Sequence, residues 1–298
     1  MEYMLWIVIV LIAVAIIVIY LAMPGGRLWK QYLADVKCSF AETNRQRSTQ
    51  SIFTEDYVAR LPAPLCQHII NGGYMGKPAM NNMLINFHNT KFCMAAGRKP
   101  IKIKFMQVNF VDRPDRHAFL TGRIAGIPLQ AKDSVLDGYG SMTGVLAKQF
   151  QLFRSTGAEM DQGQLITALA DAVYMPSLFL QEYVSWTMID DHTVEGEIAW
   201  KGVSAKGRFS FDTDGNISRF DTNDRYMDEN GKGSSLVPWY VIYSDYKEQN
   251  GYFQPGSVSV NWMLPDGDST YFASDRIEVQ YSIEGIKNHR LGTSEYLL

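Results

Sequence analysis

The segment IKIKFMQVNFV, residues 101–111, determines the fold class that the sequence predicts. Ile101 and Ile103 alternate with Lys102 and Lys104 in its first half. A period of two is typical of a β-strand that buries one face and exposes the other. We therefore expect the lysines on one face of this strand and the isoleucines on the other.

Segments of the same kind follow one another from residue 83 toward the C-terminus. Turn signals such as Asp137-Gly138, Asn230-Gly231 and Asp266-Gly267 separate several of them. The further candidates are residues 83–94, 117–125, 128–136, 141–153, 183–189, 193–200, 205–212, 217–227, 237–246, 257–264 and 271–283. Strands do not alternate with helices, which argues against a parallel sheet. The pattern predicts a mainly β (α+β) domain with a large curved antiparallel sheet or an incomplete barrel.

A short helical insertion interrupts the strands near residues 161–180. Asp161 and Gln164 have the spacing of a capping box, so the helix is expected to begin at Asp161. Leu165, Leu169 and Val173 form one apolar stripe along it. If the sheet encloses a cavity, this stripe is expected to face it.

The N-terminal segment MLWIVIVLIAVAIIVIYLAM, residues 4–23, contains no charged side chain. A helix of this length spans about 30 Å, the thickness of the hydrocarbon core of a bilayer. Trp6 and Tyr20 lie near its ends, where aromatic rings suit the headgroup region. A cleaved signal peptide is the alternative, but it normally has a basic start, a shorter apolar run and a small-residue cleavage site. The sequence therefore predicts a single-pass transmembrane anchor over residues 1–26.

Residues 27–53 are expected to form a juxtamembrane helix and a linker, and residues 54–298 the β domain. Trp29 and Tyr32 belong to an apolar face with helical spacing. This helix is expected to pack on the domain, because its polar face is not especially basic. The alternative is a helix that lies on the membrane surface. Residues 41–51 are polar and are expected to form the linker.

Composition limits the class of protein and its surroundings. With 298 residues, a net charge of −3 and 46% hydrophobic residues, the chain is neither disordered nor a strongly basic nucleic-acid binder. Arg27, Lys30 and Lys37 follow the apolar segment and favour a cytoplasmic domain by the positive-inside rule. Three cysteines without an obvious pairing agree with a reducing compartment. Long domains can be translocated despite such charges, so the side of the membrane stays open.

Sequence motifs that would identify a reaction are absent. The five histidines are isolated, and no HExxH, CxxC, GxGxxG or Walker pattern occurs. The segment GYGSMTG, residues 138–144, places its serine one position too early for a nucleophile elbow, and it falls between strands. The sequence therefore predicts no catalytic residue, no metal site and no cofactor.

Several polar and aromatic residues nevertheless lie beside apolar strands or on the helical insertion. Asp133, Asp171 and Arg225 could form a structural ion pair, bind a headgroup or act as acid and base. The candidate ligand-binding residues are Asp133, Tyr139, Leu169, Asp171, Trp186 and Arg225.

The order of several short motifs resembles a known family. The set comprises Leu61-Pro62 with Pro64, Asp133 with Gly138-Tyr139-Gly140-Ser141-Met142, Asp171 five residues before Pro176, and Trp186, Arg225, Trp239 and Trp262. Over roughly residues 54–283 the chain resembles a family of uncharacterised bacterial membrane-anchored proteins, known only as a domain of unknown function. The resemblance implies a bacterial, membrane-associated protein and no particular reaction. The strand count and the helical insertion also resemble lipoprotein-carrier half-barrels, although a shared architecture does not determine function.

Three functions are compatible with these observations. The first is a membrane-tethered binding module for a lipid or other apolar ligand, for which 14 Met and 6 Trp provide adaptable and bulky apolar surface. The second is an envelope scaffold or interaction protein, and the third is a hydrolase that uses Asp133, Asp171 or Arg225. A large apolar cavity would favour the first, a filled barrel the second, and carboxylates converging in a wet cleft the third. The bilayer and an apolar small molecule are the expected partners, nucleic acid is not, and the oligomeric state is left open.

Overall fold

A computed structural model describes residues 2–22, 25–46, 51–95, 98–228 and 233–283. Its α-helices are α1 (Glu2–Ala22), α2 (Arg27–Gln46), α3 (Glu55–Val58), α4 (Ala63–Asn71) and α5 (Ala158–Ala170), and two 3-10 helices span Asp171–Tyr174 and Pro176–Leu180. The strands are β1 (Asn82–Phe92), β2 (Ile101–Phe110), β3 (Arg116–Ile124), β4 (Ile127–Leu136), β5 (Tyr139–Leu146), β6 (Phe150–Thr156), β7 (Val184–Asp190), β8 (Thr193–Trp200), β9 (Val203–Phe211), β10 (Ile217–Thr222), β11 (Tyr226–Asp228), β12 (Ser234–Leu236), β13 (Trp239–Ser244), β14 (Lys247–Gln249), β15 (Tyr252–Gln254), β16 (Ser257–Trp262), β17 (Ser269–Ser274) and β18 (Arg276–Tyr281).

One antiparallel sheet of 14 strands forms the body of the domain. Its order is β6-β5-β4-β3-β2-β1-β17-β16-β13-β10-β9-β8-β7, and β18 pairs with the first part of β1. The edge strands β6 and β7 are consecutive in the chain and lie at opposite ends of this order. The predicted mainly β fold, with a large antiparallel sheet and few helices, is confirmed.

The segment between the two edge strands, residues 157–183, crosses the inner face of the sheet. Helix α5 contacts β4, β5 and β6 in one half and β8 and β9 in the other. A single helix can touch both halves only if the sheet curves around it. The turn after β4 and the turn after β8 also approach each other, since Lys201 Nζ lies 3.5 Å from Asp137 Oδ1. The helical segment therefore covers the concave side of an incomplete barrel.

Helix α5 begins earlier than the capping-box spacing predicts. Gly157 is its N-cap residue, so the prediction that the helix starts at Asp161 is wrong. Asp161 Oδ1 instead accepts a hydrogen bond from the backbone N–H of Gly140 at 2.6 Å. A Cβ at Gly140 would lie 2.5 Å from the carbonyl oxygen of Met160, so only glycine lets β5 approach α5 this closely. Sequence spacing does not reveal such a contact between distant segments.

Three predicted strands are each divided into two. Residues 141–153 contain the end of one strand and the start of the next, because Ala147 and Lys148 have φ angles of 50° and 61°. These left-handed conformations turn the chain and are uncommon for residues other than glycine. Residues 217–227 and 271–283 are divided in the same way, into β10 with β11 and β17 with β18. The hairpin β14–β15 was not predicted, and the expected turn at Asn230-Gly231 lies outside the described residues.

Helix α2 packs against the outer face of β2, β3 and β4. Trp29, Tyr32 and Val36 are buried there with Val108 and Phe119, as part of a second apolar cluster. The predicted packing of this helix on the domain is therefore confirmed. The helix continues to residue 46, so the first part of the predicted linker is helical instead. Because apolar residues on both faces of β2 are covered, its alternating pattern disappears after Lys104.

Polar contacts hold α2 in register on this outer face. Asp35 forms an ion pair with Lys132 of β4. Ser39 Oγ donates to Asp115 Oδ2 at 2.7 Å and lies 2.8 Å from His117 Nε2. All three members of the second contact are almost inaccessible to solvent. These directional contacts fix the position of α2 along the sheet, which apolar packing alone would not do.

Helix α1 does not contribute to the core. Its segment Tyr3–Leu21 has a mean hydropathy of 3.2 and is unburied, so it remains a candidate membrane span. Its C-terminal end contacts the turn between β5 and β6. Lys148 Nζ donates to the carbonyl oxygen of Tyr20 at 2.8 Å, and Gln149 Nε2 donates to the Tyr20 hydroxyl at 2.6 Å.

Two buried histidines are expected to make the stability of the fold decrease as the pH falls. Burial lowers the pKa of His68 to about 4. Burial, with the nearby charges of Lys132, Arg116 and Arg113, lowers the pKa of His117 to about 3. Below the ordinary pKa of about 6.5, the unfolded chain takes up protons that the folded chain does not, so stability falls as the pH falls. We expect the unfolding free energy to decrease by about 2 kcal/mol per histidine between pH 7.5 and pH 5, measured by urea unfolding.

The variant His68→Leu tests the assignment of this pH dependence. The His68 ring lies between Phe179 and Tyr246, an environment that accepts an apolar side chain. Over the same pH range, the unfolding free energy of the variant should decrease by about 2 kcal/mol less than that of the wild type. An unchanged difference between the two pH values would contradict the assignment to His68.

Candidate functional site

A pocket of about 470 Å³ lies between the concave face of the sheet and the helical segment above it. Strands from both halves of the sheet contribute to its walls, and α5 with the 3-10 helix Asp171–Tyr174 covers it. Most of the lining side chains are aromatic or aliphatic. Its charged side chains form two groups, one around Arg116 and one around Arg225.

Three phenylalanines form an aromatic wall of the pocket. Phe87 of β1, Phe105 of β2 and Phe272 of β17 contact one another edge to face, with centroid distances of 5.1 to 5.3 Å. They meet because their strands are neighbours in the sheet and the alternation of each strand directs them inward. The alternation that predicts the strands therefore also explains why these rings share one face of the sheet.

Arg116, at the start of β3, is the centre of the first polar group and is only 5% exposed. Its Nη1 donates to Asp133 Oδ2 at 2.9 Å and to Gln164 Oε1 at 2.9 Å, and its Nε donates to Asp171 Oδ2 at 3.0 Å. Burial opposes the charged form of Arg116, but the two carboxylates outweigh it and raise the pKa of the guanidinium. The guanidinium thus bridges a strand and the end of the helical segment.

Side-chain amides complete this group. Gln107 Nε2 and Asn109 Nδ2 donate to Asp171 Oδ2 at 2.7 and 3.2 Å, and Gln164 Nε2 donates to Asp133. We call these six residues the Arg116 cluster: Gln107, Asn109, Arg116, Asp133, Gln164 and Asp171. Its two carboxylates face a shared guanidinium, which favours an ion pair over an acid–base pair for hydrolysis. In the ranges that the structure describes, no group of three or more His, Cys, Asp or Glu residues is arranged to hold a metal ion.

Arg225 forms the second polar group, between β10 and β11. Its Nη1 donates to the carbonyl oxygen of Gly163 and to Thr167 Oγ1, both on α5. Its Cζ lies 4.8 Å from the ring centroid of Trp239 and 5.8 Å from that of Trp262. The guanidinium is thus held by one helix and two indole rings.

The structure brings together three of the six candidate residues. Asp133, Asp171 and Arg225 line the pocket, whereas Tyr139, Leu169 and Trp186 are not among its lining residues. Tyr139 is 76% exposed on β5, since its side chain points away from the concave face. Trp186 packs over Gly196 and donates to the carbonyl oxygen of Phe179 at 2.8 Å.

Leu169 lies on the face of α5 that is turned away from the pocket. Leu165 and Leu169 are fully buried in the close-packed core of the domain. Gln164, Thr167 and Asp171 face the pocket instead. The apolar stripe that the sequence displays is the packing surface of the helix, and its small and polar residues border the cavity.

Sequence reasoning missed Arg116, although a signal was present. In β2 the residues at the inward positions are Ile103 and Phe105, followed by Gln107 and Asn109. Two amides that continue the buried face of a strand require polar partners inside the domain. That requirement points to a buried polar group beside β2, but it does not identify the arginine.

Comparison with known proteins identifies the family. The chain belongs to the family of unknown function DUF6544, whose model matches residues 51–274, so the resemblance drawn from the motifs is confirmed. A LolA superfamily protein from Nitrosomonas europaea is similar in structure, with 10% identity, a TM-score of 0.38, and coverage of 74% of this chain and 92% of that chain. A domain named as an outer membrane lipoprotein-sorting protein from Vibrio parahaemolyticus gives 10% identity, a TM-score of 0.37, and coverage of 68% and 86%. A search of curated proteins found no match.

Removal of the central charge tests the Arg116 cluster. The variant Arg116→Gln leaves Asp133 and Asp171 partly buried without their counter-ion, so we expect a loss of about 3–5 kcal/mol in unfolding free energy at pH 7.5. Urea unfolding at pH 7.5, with the wild type measured alongside, determines this loss.

A matched control is the exposed ion pair of Arg208 with Glu195, 2.9 Å apart between Nε and Oε2. Arg208→Gln should change the unfolding free energy by less than about 1 kcal/mol, as is usual for surface pairs. Equal effects of the two substitutions would show that the Arg116 cluster does not stabilise the domain.

Proposed function

We propose that this protein is a membrane-tethered binding module for a lipid or another apolar ligand. The observation that carries the proposal is the pocket of about 470 Å³, which is lined mainly by apolar side chains and lies between the sheet and α5. This volume is within the range of small-molecule sites, which combine apolar walls with a few polar groups. The ligand would gain free energy by moving its apolar surface from water into this pocket.

The alternatives are less well supported by the geometry. A scaffold without a ligand would be expected to fill its core, because close packing of side chains is the normal state of a protein interior. A hydrolase would need a carboxylate free to exchange a proton with a substrate or water. Asp133 and Asp171 instead interact with Arg116 and with the neighbouring amides.

The tether in this proposal is α1. Nearly all of its large apolar side chains are exposed, for example Leu5 at 63% and Ile16 at 61%. Exposure of so much apolar surface to water is unfavourable, and a bilayer removes it from water. The adjacent helix α2 has its apolar face buried against the sheet, so of these two helices α1 is the one available for the membrane. The basic residues after α1 favour a cytoplasmic location of the domain.

Deletion of residues 1–26 tests the tether. We expect the truncated protein to leave the membrane pellet, because the only long apolar segment in the described part of the chain is removed. Cell fractionation followed by a high-salt wash, with the full chain alongside, measures the change. Retention of the truncated protein in the washed pellet would mean that another surface binds the membrane and would contradict the single-anchor proposal.

A pocket-filling substitution tests ligand binding. Val241 lies on β13, is 4% exposed and lines the pocket, so Val241→Phe should occupy ligand space. We expect this variant to reduce labelling of pocket peptides several-fold. The assay uses the full chain in lipid nanodiscs, a single-chain alcohol that carries a photoreactive diazirine, and mass spectrometry of the labelled peptides. Labelling of α1 peptides serves as the internal reference for probe dissolved in the bilayer.

The neighbouring residue provides the control. Ile242 follows Val241 on the same strand and is directed to the opposite face of the sheet, outside the pocket. Ile242→Phe introduces the same phenyl ring on the other face and should leave labelling of the pocket unchanged. Wild-type protein that is labelled on α1 and not in the pocket would contradict the proposed function.

A further inference from the structure

Arg225 is a charged group in the pocket for which no side chain that the structure describes provides a counter-ion. Two of the carboxylates near it in sequence have other partners. Asp221 pairs with Arg219, 2.6 Å apart between Oδ1 and Nη2, and Asp224 accepts the backbone N–H of Lys206 at 2.8 Å. The Arg225 side chain instead donates to two neutral oxygens of α5. Its Nε is buried and has no hydrogen-bond partner within the described structure.

Arg116 and Arg225 differ in how their charges are compensated. Arg116 interacts with two carboxylates, so its charge is already compensated within the protein. Arg225 is also held in place, by two hydrogen bonds to α5 and by the faces of Trp239 and Trp262. None of these contacts is with an anion. Indole faces partly stabilise a cation and restrict its orientation, yet they leave the hydrogen-bonding edge of a guanidinium available.

We propose that Arg225 binds the anionic head of a single-chain amphiphile whose apolar tail lies along the pocket. This inference rests on the proposed function and names the chemical class of its ligand. A guanidinium presents donors in a planar fork that matches a carboxylate or a phosphate group, and such charge-assisted hydrogen bonds are stronger than neutral ones.

The pocket provides a path for the tail beside this group. Trp239 and Trp262, which flank the guanidinium, also line the pocket, and the stacked pair Trp262 and Tyr271 extends the apolar surface. The wall of Phe87, Phe105 and Phe272 belongs to the same cavity. An amphiphile can therefore place its head against Arg225 and keep its tail in contact with apolar side chains. A cationic amphiphile would instead place like charges together, which is unfavourable.

Head-group preference in the wild-type protein is the first test. The full chain is placed in nanodiscs of uncharged lipid, and three photoreactive diazirine probes with the same chain are compared, a fatty acid, an alkyl phosphate and an alcohol. The pH is set so that the acid is ionised, and labelling of pocket peptides is divided by labelling of α1 peptides. We expect the better of the two anionic probes to exceed the alcohol by about tenfold or more, the effect of one charged hydrogen bond. Preference for the acid or for the phosphate distinguishes a fatty acid from a phosphorylated lipid.

Substitutions then assign the preference to one side chain. Arg225→Gln should reduce labelling by the anionic probe to the level of the alcohol, and it should leave labelling by the alcohol unchanged. Arg225→Lys keeps the charge and should retain part of the preference. Arg219→Gln is the matched control, because Arg219 also stacks on an aromatic ring, that of Tyr240 at 3.9 Å, but is paired with Asp221 and lies outside the pocket.

The outcomes separate this inference from the proposed function. Equal labelling of the wild-type pocket by the alcohol and the anionic probes would overturn the role of Arg225 and leave apolar binding intact. An anion preference that survives Arg225→Gln in a folded variant would also overturn it. Absence of pocket labelling by all three probes would contradict both. Because the comparison of probes uses the wild-type chain, this first test does not depend on the folding of any variant.

Discussion

The ion pairs of Arg116 with Asp133 and Asp171 are the interaction on which the geometry of the pocket depends. They connect β3 and β4 with the end of α5, so they attach the covering helix to one half of the sheet. Three ionised groups in a buried position are favourable only when each is well paired and hydrogen-bonded. The amides of Gln107, Asn109 and Gln164 supply those additional bonds. A polar contact can hold the helix at this position without filling the space beside it, whereas apolar packing would tend to close the pocket.

The outer face of the same strands is stabilised differently. There α2 is packed through aromatic rings, with Trp29 and Phe119 5.0 Å apart between centroids. The contact of Ser39, Asp115 and His117 contains the residue types of a catalytic triad, but the serine, and not the histidine, occupies the middle position. All three are buried beneath α2, and burial keeps the histidine neutral by lowering its pKa. The group therefore fastens a helix to the sheet and has no access to a substrate.

The sequence predicts the features that depend on residues close together in the chain, and it misses those that depend on contacts between distant residues. The alternation of Ile101 to Lys104 and the apolar segment of α1 are local patterns, and each predicted its element. The capping-box spacing misplaces the start of α5, because the Asp161 carboxylate accepts a hydrogen bond from the backbone N–H of Gly140, which is 21 residues away in the chain. The apolar stripe of the helix places Leu169 at the cavity in a sequence-based prediction, although apolar surface is buried most completely where packing is closest. Polar residues at inward strand positions, such as Gln107, are the better guide to a cavity with buried charges.

The two arginines of the pocket differ in whether the side chains that the structure describes supply a counter-ion. A buried charge is costly to desolvate, so a protein normally supplies its counter-ion from its own side chains. That is the case for Arg116, whose partners come from β4 and from the residue that follows α5. Arg225 is restrained by α5 and by Trp239 and Trp262, and these contacts orient the guanidinium without neutralising it. A cation that is oriented in advance and uncompensated favours the binding of an anion, because little conformational entropy remains to be lost when the ligand arrives. Adjacent apolar walls then select anions that carry a long apolar chain, since a small hydrophilic anion gains nothing from them.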